Sequence, residues 1–451
     1  MLKRLTVALA CGLCLCLPGA ASASPPPDAR FKADILLVLG HPDDETLVSG
    51  FLARCALERH KRVAVVYGTH GEGGGNGVGF EQAGALSAVR EIEVRRALTA
   101  WGIDNVWFLG GRDTASQNVL RSLETWHHGE ALADLVRLVR LTRPQVILTM
   151  LPVYSAGENH GDHQAAGVLA TEAFDVAGDP TAFAEQVTPP SNPTGIGSLT
   201  EGLRPWQPQK LYYFSDTSHP EALDGHGPAY PTSEISPSRG VPYYKVSAEE
   251  WKFHQTQDDV TGIATKAQAT GDWKAMLAPE RLVLGKSLVG GTPAEDVFAH
   301  GTDSIGYVAA PGYRSGSAPA LQLGGPWGFY RDFWRAHALL GLDTLWTPEA
   351  EIGFDRLLHV PVLVRNDSPQ AAQIPLRLNL PPGWRADPAA PAALAVPPHD
   401  VQSLDLLLRS PAGTEPAWQT LSVEATGERI SLRVHLVRPE GLLPQESGIR
   451  R

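Results

Sequence analysis

Two short segments of this 451-residue chain concentrate the side chains that do chemistry. His41-Pro42-Asp43-Asp44-Glu45 sets one imidazole beside three carboxylic acids, and His160-Gly161-Asp162-His163 sets two imidazoles around one carboxylate. Two imidazoles and a carboxylate hold a divalent ion while leaving a coordination position for water, which is the catalytic rather than the structural form of a zinc site. Each cluster alone also reads as a solvated loop with a helix cap, because Asp44 or Asp162 ahead of a helical run satisfies free amides. The metal reading gains because both clusters follow strand-like runs and return to the same sheet edge. The loop from Gly71 to Gly79 invites a phosphate-binding reading but lacks the Gly-Lys-Ser/Thr ending. Gly285-Lys286-Ser287 has Glu280 where the first loop glycine should stand, so neither segment is a nucleotide site. The glycine loop reads instead as a mobile active-site lip. No Gly-x-Ser-x-Gly elbow occurs, which leaves a serine hydrolase without support.

Residues 34 to about 175 supply the elements that would position these clusters. Asp34 to Gly40, Arg62 to Tyr67, Val106 to Leu109 and Gln145 to Met150 are short, continuous and apolar, as strands buried on both faces are. Between them, Glu81 to Trp101 and Glu130 to Leu141 carry helical periodicity; Leu86, Val89, Glu93 and Ala97 recur at three- and four-residue steps, and Gly102 stops the first helix. Strand and helix in alternation predict an α/β fold, a mostly parallel Rossmann-like sheet with helices on both faces. An open sheet of that kind binds its ligands outside the carboxyl ends of its strands, where His41 and its neighbours emerge. Residues 177–244 are rich in Pro, Gly and Ser around one strand-like run, Lys210 to Phe214, and read as a loop-rich insertion. Residues 245–310 look helical, and Trp327, Phe329, Tyr330, Phe333 and Trp334 fit a helix core or a domain seam better than a ligand platform.

Beyond Pro348 the period changes to two. Leu358 to Asn366, Ile374 to Leu380, Val401 to Leu408, Leu421 to Ala425 and Ile430 to Val437 alternate apolar with polar residues between turn signals, which predicts an appended all-β sandwich. The chain then divides into an export signal at 1–23, a linker at 24–33, a catalytic domain at 34–345, the sandwich at 350–440 and a tail at 441–451. The signal is read from Lys3 and Arg4, the apolar run Leu5 to Leu17 and the small-x-small Ala21-Ser22-Ala23. That run is shorter than the ~20 residues a bilayer requires, so no transmembrane segment is expected after cleavage, and the protein is expected in the periplasm or outside the cell. Cys55 is the one cysteine outside the signal, so no internal disulfide follows export. A formal net charge of −11 argues against nucleic acid as a partner. Gly (45 residues) and Pro (37 residues) exceed average usage, which predicts long connections.

Three further segments complete a pattern: Thr69-His70-Gly71-Glu72, Arg90-x-x-Glu93-x-x-x-Ala97, and Leu109-Gly110-Gly111-Arg112-Asp113. With the two histidine clusters they resemble, in order, the PIG-L/LmbE-like zinc-dependent N-deacetylases. The resemblance covers residues 34 to about 175, with weaker echoes at Lys210 to Phe214, Trp251 to Gln257 and Gly285 to Gly290. It implies that His41, Asp44 and His163 bind zinc, that Asp43 is the general base, and that His160, as imidazolium, stabilises the oxyanion or protonates the leaving amine. Arg90 and Asp113 would position a sugar hydroxyl or phosphate; a surface pair of Arg90 with Glu93 and a strand-end cap at Asp113 stand beside that reading. Two imidazoles and a carboxylate also admit iron or manganese. Where family members often carry an aromatic hydroxyl before the second histidine motif, this chain has Tyr154-Ser-Ala-Gly-Glu158-Asn159, leaving the role of Tyr154 or Glu158 open. The sandwich resembles the immunoglobulin-like modules of exported bacterial glycosidases, especially at Leu380-Pro-Pro-Gly-Trp384. The implied function is an exported hydrolase that removes an N-acyl group, acetyl foremost, from an amino sugar or glycoconjugate. The alternative is a noncatalytic glycan-binding protein that retains the metal site.

Overall fold

The computed structural model describes residues 28–153, 160–188, 202–312 and 319–438. The proposed export signal, Tyr154, Glu158, Asn159 and the tail lie outside the described residues. Six strands form the first sheet: β1 Ile35–Leu39, β2 Val63–Tyr67, β3 Asn105–Phe108, β4 Val146–Met150, β5 Lys210–Phe214 and β6 Val283–Ser287. Their order is β3-β2-β1-β4-β5-β6, all parallel except the antiparallel edge strand β6. The connections run one way from β1 through β2 to β3 and the other way from β4 to β5. The reversal opens a crevice at the carboxyl ends of β1 and β4.

The alternation of side chains along a strand assigns the two faces. Leu36 and Val38 point into one core with α3 (Val119–Thr125), α4 (His128–Thr142) and α5 (Gly161–Val176). Ile35, Leu37 and Leu39 point into the other, against α1 (Ser49–Ala53), α2 (Gly84–Thr99) and α6 (Tyr243–Trp251). Because both faces are covered, β1, β2, β4 and β5 are buried at every position, and this accounts for their mostly apolar runs, with Thr149 and Lys210 buried among them. In α2 the inward positions are Leu86, Arg90, Glu93, Val94, Ala97 and Leu98. A charged pair thus takes turns of the buried stripe, and Val89 is only half-buried. The helical run expected over 245–310 stops at Thr270, where α7 (Asp258–Thr270) ends on Gly271 at φ 74; an antiparallel edge strand follows.

The C-terminal region is a sandwich of two four-stranded sheets. One runs in the order Glu349–Gly353, Glu428–Val437, Ala417–Ala425, Arg377–Asn379; the other runs Arg385–Ala386, Asp400–Arg409, Leu357–Asn366, Leu321–Leu323. Leu321–Leu323 precedes the boundary expected near 350, so the chain enters the sandwich once before returning through α8 (Gly325–Ala336) to the first domain. α8 is the seam. Its Tyr330, Phe333 and Trp334 pack in the α/β core, while Trp327 packs in the sandwich core and donates its indole N–H to the Glu349 carbonyl at 3.0 Å.

Candidate active site

The crevice between β1 and β4 is lined by the two histidine clusters. β1 ends at Leu39, and Gly40 and His41 turn the chain outward; α5 starts at Gly161 with His160 as its N-cap. His41, Asp44, His160 and His163 are all buried. One oxygen of Asp44, Oδ2, accepts the backbone N–H groups of Gly40 (2.9 Å) and His41 (2.8 Å). Oδ1 is thereby turned to the imidazoles, 3.1 Å from His163 Nε2 and 3.7 Å from His41 Nδ1. Ligand atoms ~2.0–2.2 Å from one tetrahedral ion stand about 3.4 Å apart, close to the separation of Asp44 Oδ1 from each of the two imidazoles, and His41, His160 and His163 also lie close enough together to hold an ion. The rings of His41, His160 and His163 lie 4.6–5.2 Å apart between centroids.

The far side of His41 strengthens the fit. Its Nε2 faces Asp162 Oδ2 at 3.3 Å and Asp113 Oδ1 at 3.4 Å, which leaves Nδ1 toward Asp44. A carboxylate behind a histidine fixes ring orientation and tautomer for metal binding. Asp162 is fully buried and also accepts Thr114 N–H at 2.9 Å and the Thr114 hydroxyl at 3.0 Å. Read from sequence as a helix cap or one of a ligand trio, it instead stands behind His41; its adjacency to His163 was the signal available. Burial opposes charge on His41, but Asp113, Asp162 and Asp44 together hold its pKa well above the ordinary imidazole value. Burial likewise opposes charge on Asp44, and His163 and His41 overcome it, keeping its carboxyl well below the usual range.

Asp43 occupies backbone that L residues rarely adopt, φ 122 and ψ −20. Its amide donates to Glu45 Oε2 at 3.0 Å, and its carbonyl accepts Thr46 N–H at 2.9 Å and the Thr46 hydroxyl at 2.6 Å. The residue is half-buried. The low-dielectric surroundings and then Asp44 push its carboxyl well above the ordinary value, against the pull of Arg90, His254 and His41. His160 is neutral rather than the expected imidazolium. Its Nδ1 accepts the Asp162 N–H at the start of α5 (3.1 Å), and burial with His41 and His163 lowers its pKa to about 4. The ring's proton then sits on Nε2.

Arg90 and Asp113 sit at the glycine loop. The Arg90 guanidinium is buried and donates to the carbonyls of Gly71 (2.6 Å) and Gly75 (2.9 Å), while Glu93 accepts Thr256 N–H (3.0 Å) and its hydroxyl (2.7 Å). The surface pair of Arg90 with Glu93 is therefore absent. Asp113 accepts Gly73 N–H at 2.8 Å besides facing His41. With Gly77 N–H donating to the Thr256 carbonyl at 3.0 Å, the lip is tied down at several points, not loose as its glycines suggested. Gly71 earns its place: φ is +69, and a Cβ would lie 2.5 Å from Arg90 Nη1.

Sequence reasoning missed the floor of the site. Gln257 Nε2 donates to the Pro42 carbonyl at 2.6 Å, and His254 Nε2 stands 2.9 Å from Glu45 Oε1 and 2.9 Å from Glu250 Oε1. Burial works against the charge of His254, and the two carboxylates more than offset it, so its pKa is well raised; burial pushes Glu250 up to about 7. The echo at Trp251 to Gln257 marked this segment without revealing its contacts.

The family model for PIG-L, GlcNAc-PI de-N-acetylase, matches residues 36–174. A 1D-myo-inositol 2-acetamido-2-deoxy-alpha-D-glucopyranoside deacetylase of Mycobacteroides abscessus is 30% identical over 212 residues, 43% of this chain and 75% of that protein. The protein of the same description from Thermobifida fusca is 27% identical over 263 residues, 51% of this chain and 84% of its own. A further relative, deacetylase 1 of Catenulispora acidiphila, is 32% identical over 177 residues, 36% of this chain, which spans only 54% of that relative's length. Among solved structures, N,N'-diacetylchitobiose deacetylase from Pyrococcus horikoshii aligns with 20% identity and a TM-score of 0.38, covering 56% of this chain and 84% of that one.

Proposed function

Since the chain belongs to the PIG-L family of GlcNAc-PI de-N-acetylases, we propose that it is an exported, zinc-dependent amidohydrolase that removes an N-acyl group, acetyl foremost, from an amino sugar or glycoconjugate. The observation that carries this reading is the convergence of His41, Asp44 and His163 beside the strained turn that holds Asp43. In this reading the three are the metal ligands. A divalent ion held there supplies Lewis acidity, drawing the pKa of water toward ~7 and polarising an amide carbonyl. Asp43 takes the proton from the attacking water and returns it to the departing nitrogen as the C–N bond breaks, leaving the free amine and a carboxylic acid, which releases its own proton to solvent. His160, neutral, donates Nε2–H to the oxygen that gains charge when water adds to the carbonyl. Asp113 and Arg90 shape the entrance, Asp113 behind His41 and Arg90 through the lip, with a substrate hydroxyl or phosphate as their further partner. Zinc is favoured by the nitrogen-rich ligand set, and iron or manganese are the other candidates.

A panel of N-acyl sugars, including N-acetylglucosamine, its β-1,4 oligomers and inositol-linked N-acetylglucosamine, followed by free-amine release with and without chelator, tests the proposal. Chelator-sensitive release from at least one member is expected. No release from any of them, together with glycan binding that survives metal removal, would shift the reading to a noncatalytic glycan binder.

A further inference from the structure

Behind Asp43, apart from the three proposed ligands, three ionisable side chains meet in the interior. Glu45, Glu250 and His254 are fully buried, and His254 Nε2 stands 2.9 Å from an oxygen of each carboxylate. The other Glu45 oxygen accepts the Asp43 backbone N–H (3.0 Å) and the Tyr67 hydroxyl (2.7 Å). Burying such groups is costly, and an apolar trio of similar volume would hold α6 against its neighbours without that cost. A compensating role is next door. The backbone of Asp43 at φ 122 stores strain on the order of 1–3 kcal/mol, and such a residue persists only where its surroundings over-determine it. Glu45 fixes its amide, Thr46 its carbonyl, and Gln257 the carbonyl of the preceding Pro42. His254 and Gln257 come from one turn just after α6, so a single segment grips the loop twice.

We infer that Glu45, His254 and Glu250 are positioning residues that act through the Asp43 peptide: they clamp it in the left-handed conformation that presents its carboxylate to the site. The inference rests on the reading of Asp43 as general base. The same three residues also have the make-up of a second metal site. The 2.9 Å separations are shorter than the ~3.4 Å between ligands of a tetrahedral ion, and His254 Nε2 hydrogen-bonds Glu250 Oε1 while facing Glu45 Oε1 as an ion pair; Glu45 Oε1, Glu250 Oε2 and His254 Nδ1 have no hydrogen-bond partner of their own, so contact between charges is the better match.

The test uses full-chain His254→Gln and Glu45→Gln, each alone and combined with Asp43→Asn, on the N-acyl sugar that the wild type turns over fastest. In the wild-type background kcat should fall about 10- to 100-fold with KM within about twofold and metal content unchanged. In the Asp43→Asn background the same changes should cost nothing further. An equal loss in both backgrounds, or a rise in KM with kcat kept, would overturn the clamp, as would a second metal equivalent in the wild type that His254→Gln loses. Crystal structures separate the clamp from the base assignment: Asp43 should leave positive φ in the variants, and an unchanged φ refutes the clamp whether or not Asp43 is the base. If His254→Gln does not fold, Glu250→Gln, whose side chain does not touch Asp43, carries the same measurements.

Discussion

At the residue scale the proposed mechanism separates groups that hold from groups that act, and this separation is testable. Asp44 is oriented by two backbone amides and faces two imidazoles, whereas Asp43, one residue earlier, is turned aside by its left-handed backbone. Asp43→Ala should therefore keep the metal, by elemental analysis, while losing about 10²- to 10⁴-fold in amine release. His163→Ala should lose both metal and turnover. If Asp43→Ala lost its metal as readily as His163→Ala, the two roles would have to be exchanged. Much of this was legible before folding, because a His followed by acids and a His-x-x-His spacing carry their chemistry locally. The neutrality of His160 was not legible, since it comes from the amide at the start of α5 and from two histidines packed around it.

At the element scale, the turn after β1, which leads into α1, and the start of α5 bring the proposed ligands together, and each depends on a close contact. Gly167 lets α5 approach β4: a Cβ there would lie 2.3 Å from the Met150 carbonyl oxygen and 2.8 Å from Pro152 N. Gly167→Ala should cost about 1–3 kcal/mol in chemical denaturation. Since His160 and His163 ride on the same helix, metal affinity measured by chelator competition should weaken with it. At the start of α1, Glu280 is buried and accepts the N–H groups of Gly50 (2.7 Å) and Phe51 (2.6 Å). Burial raises its pKa from 4.5 to about 8 against those two donors. Between those values the unfolded chain has released the proton while the fold retains it, so this contribution is full below pH 4.5 and is lost as pH rises toward 8. Glu280→Gln removes the titration, and melting curves from pH 5 to 8 should shift the difference in Tm progressively in favour of the variant; a pH-independent difference would reject the raised pKa. The central strands were readable because β1 is apolar throughout and β2, β4 and β5 nearly so. Glu280 was not, because its partners lie 230 and 229 residues away.

At the scale of the whole molecule, the two domains share a helix. α8 contributes Tyr330, Phe333 and Trp334 to the α/β core and Trp327 to the sandwich, and the Tyr330 hydroxyl bonds Gln164, the neighbour of the proposed ligand His163. A molecule so joined should unfold as one unit. Trp327→Ala should cost about 3–5 kcal/mol and lower a single calorimetric transition, whereas two separated transitions in the wild type would disprove a shared seam. The sequence alone determined the α/β alternation, the sandwich periodicity and the residue types of the proposed ligands, since each is written in neighbours along the chain. Tertiary structure alone decided which groups stand behind those ligands: Asp162 behind His41 at 121 residues' separation, Arg90 on the lip, and His254 under Asp43. Spacing along the chain carries no information on such pairings, because they are set by where the sheet's crossovers return the chain and by the need of each buried polar group for a partner.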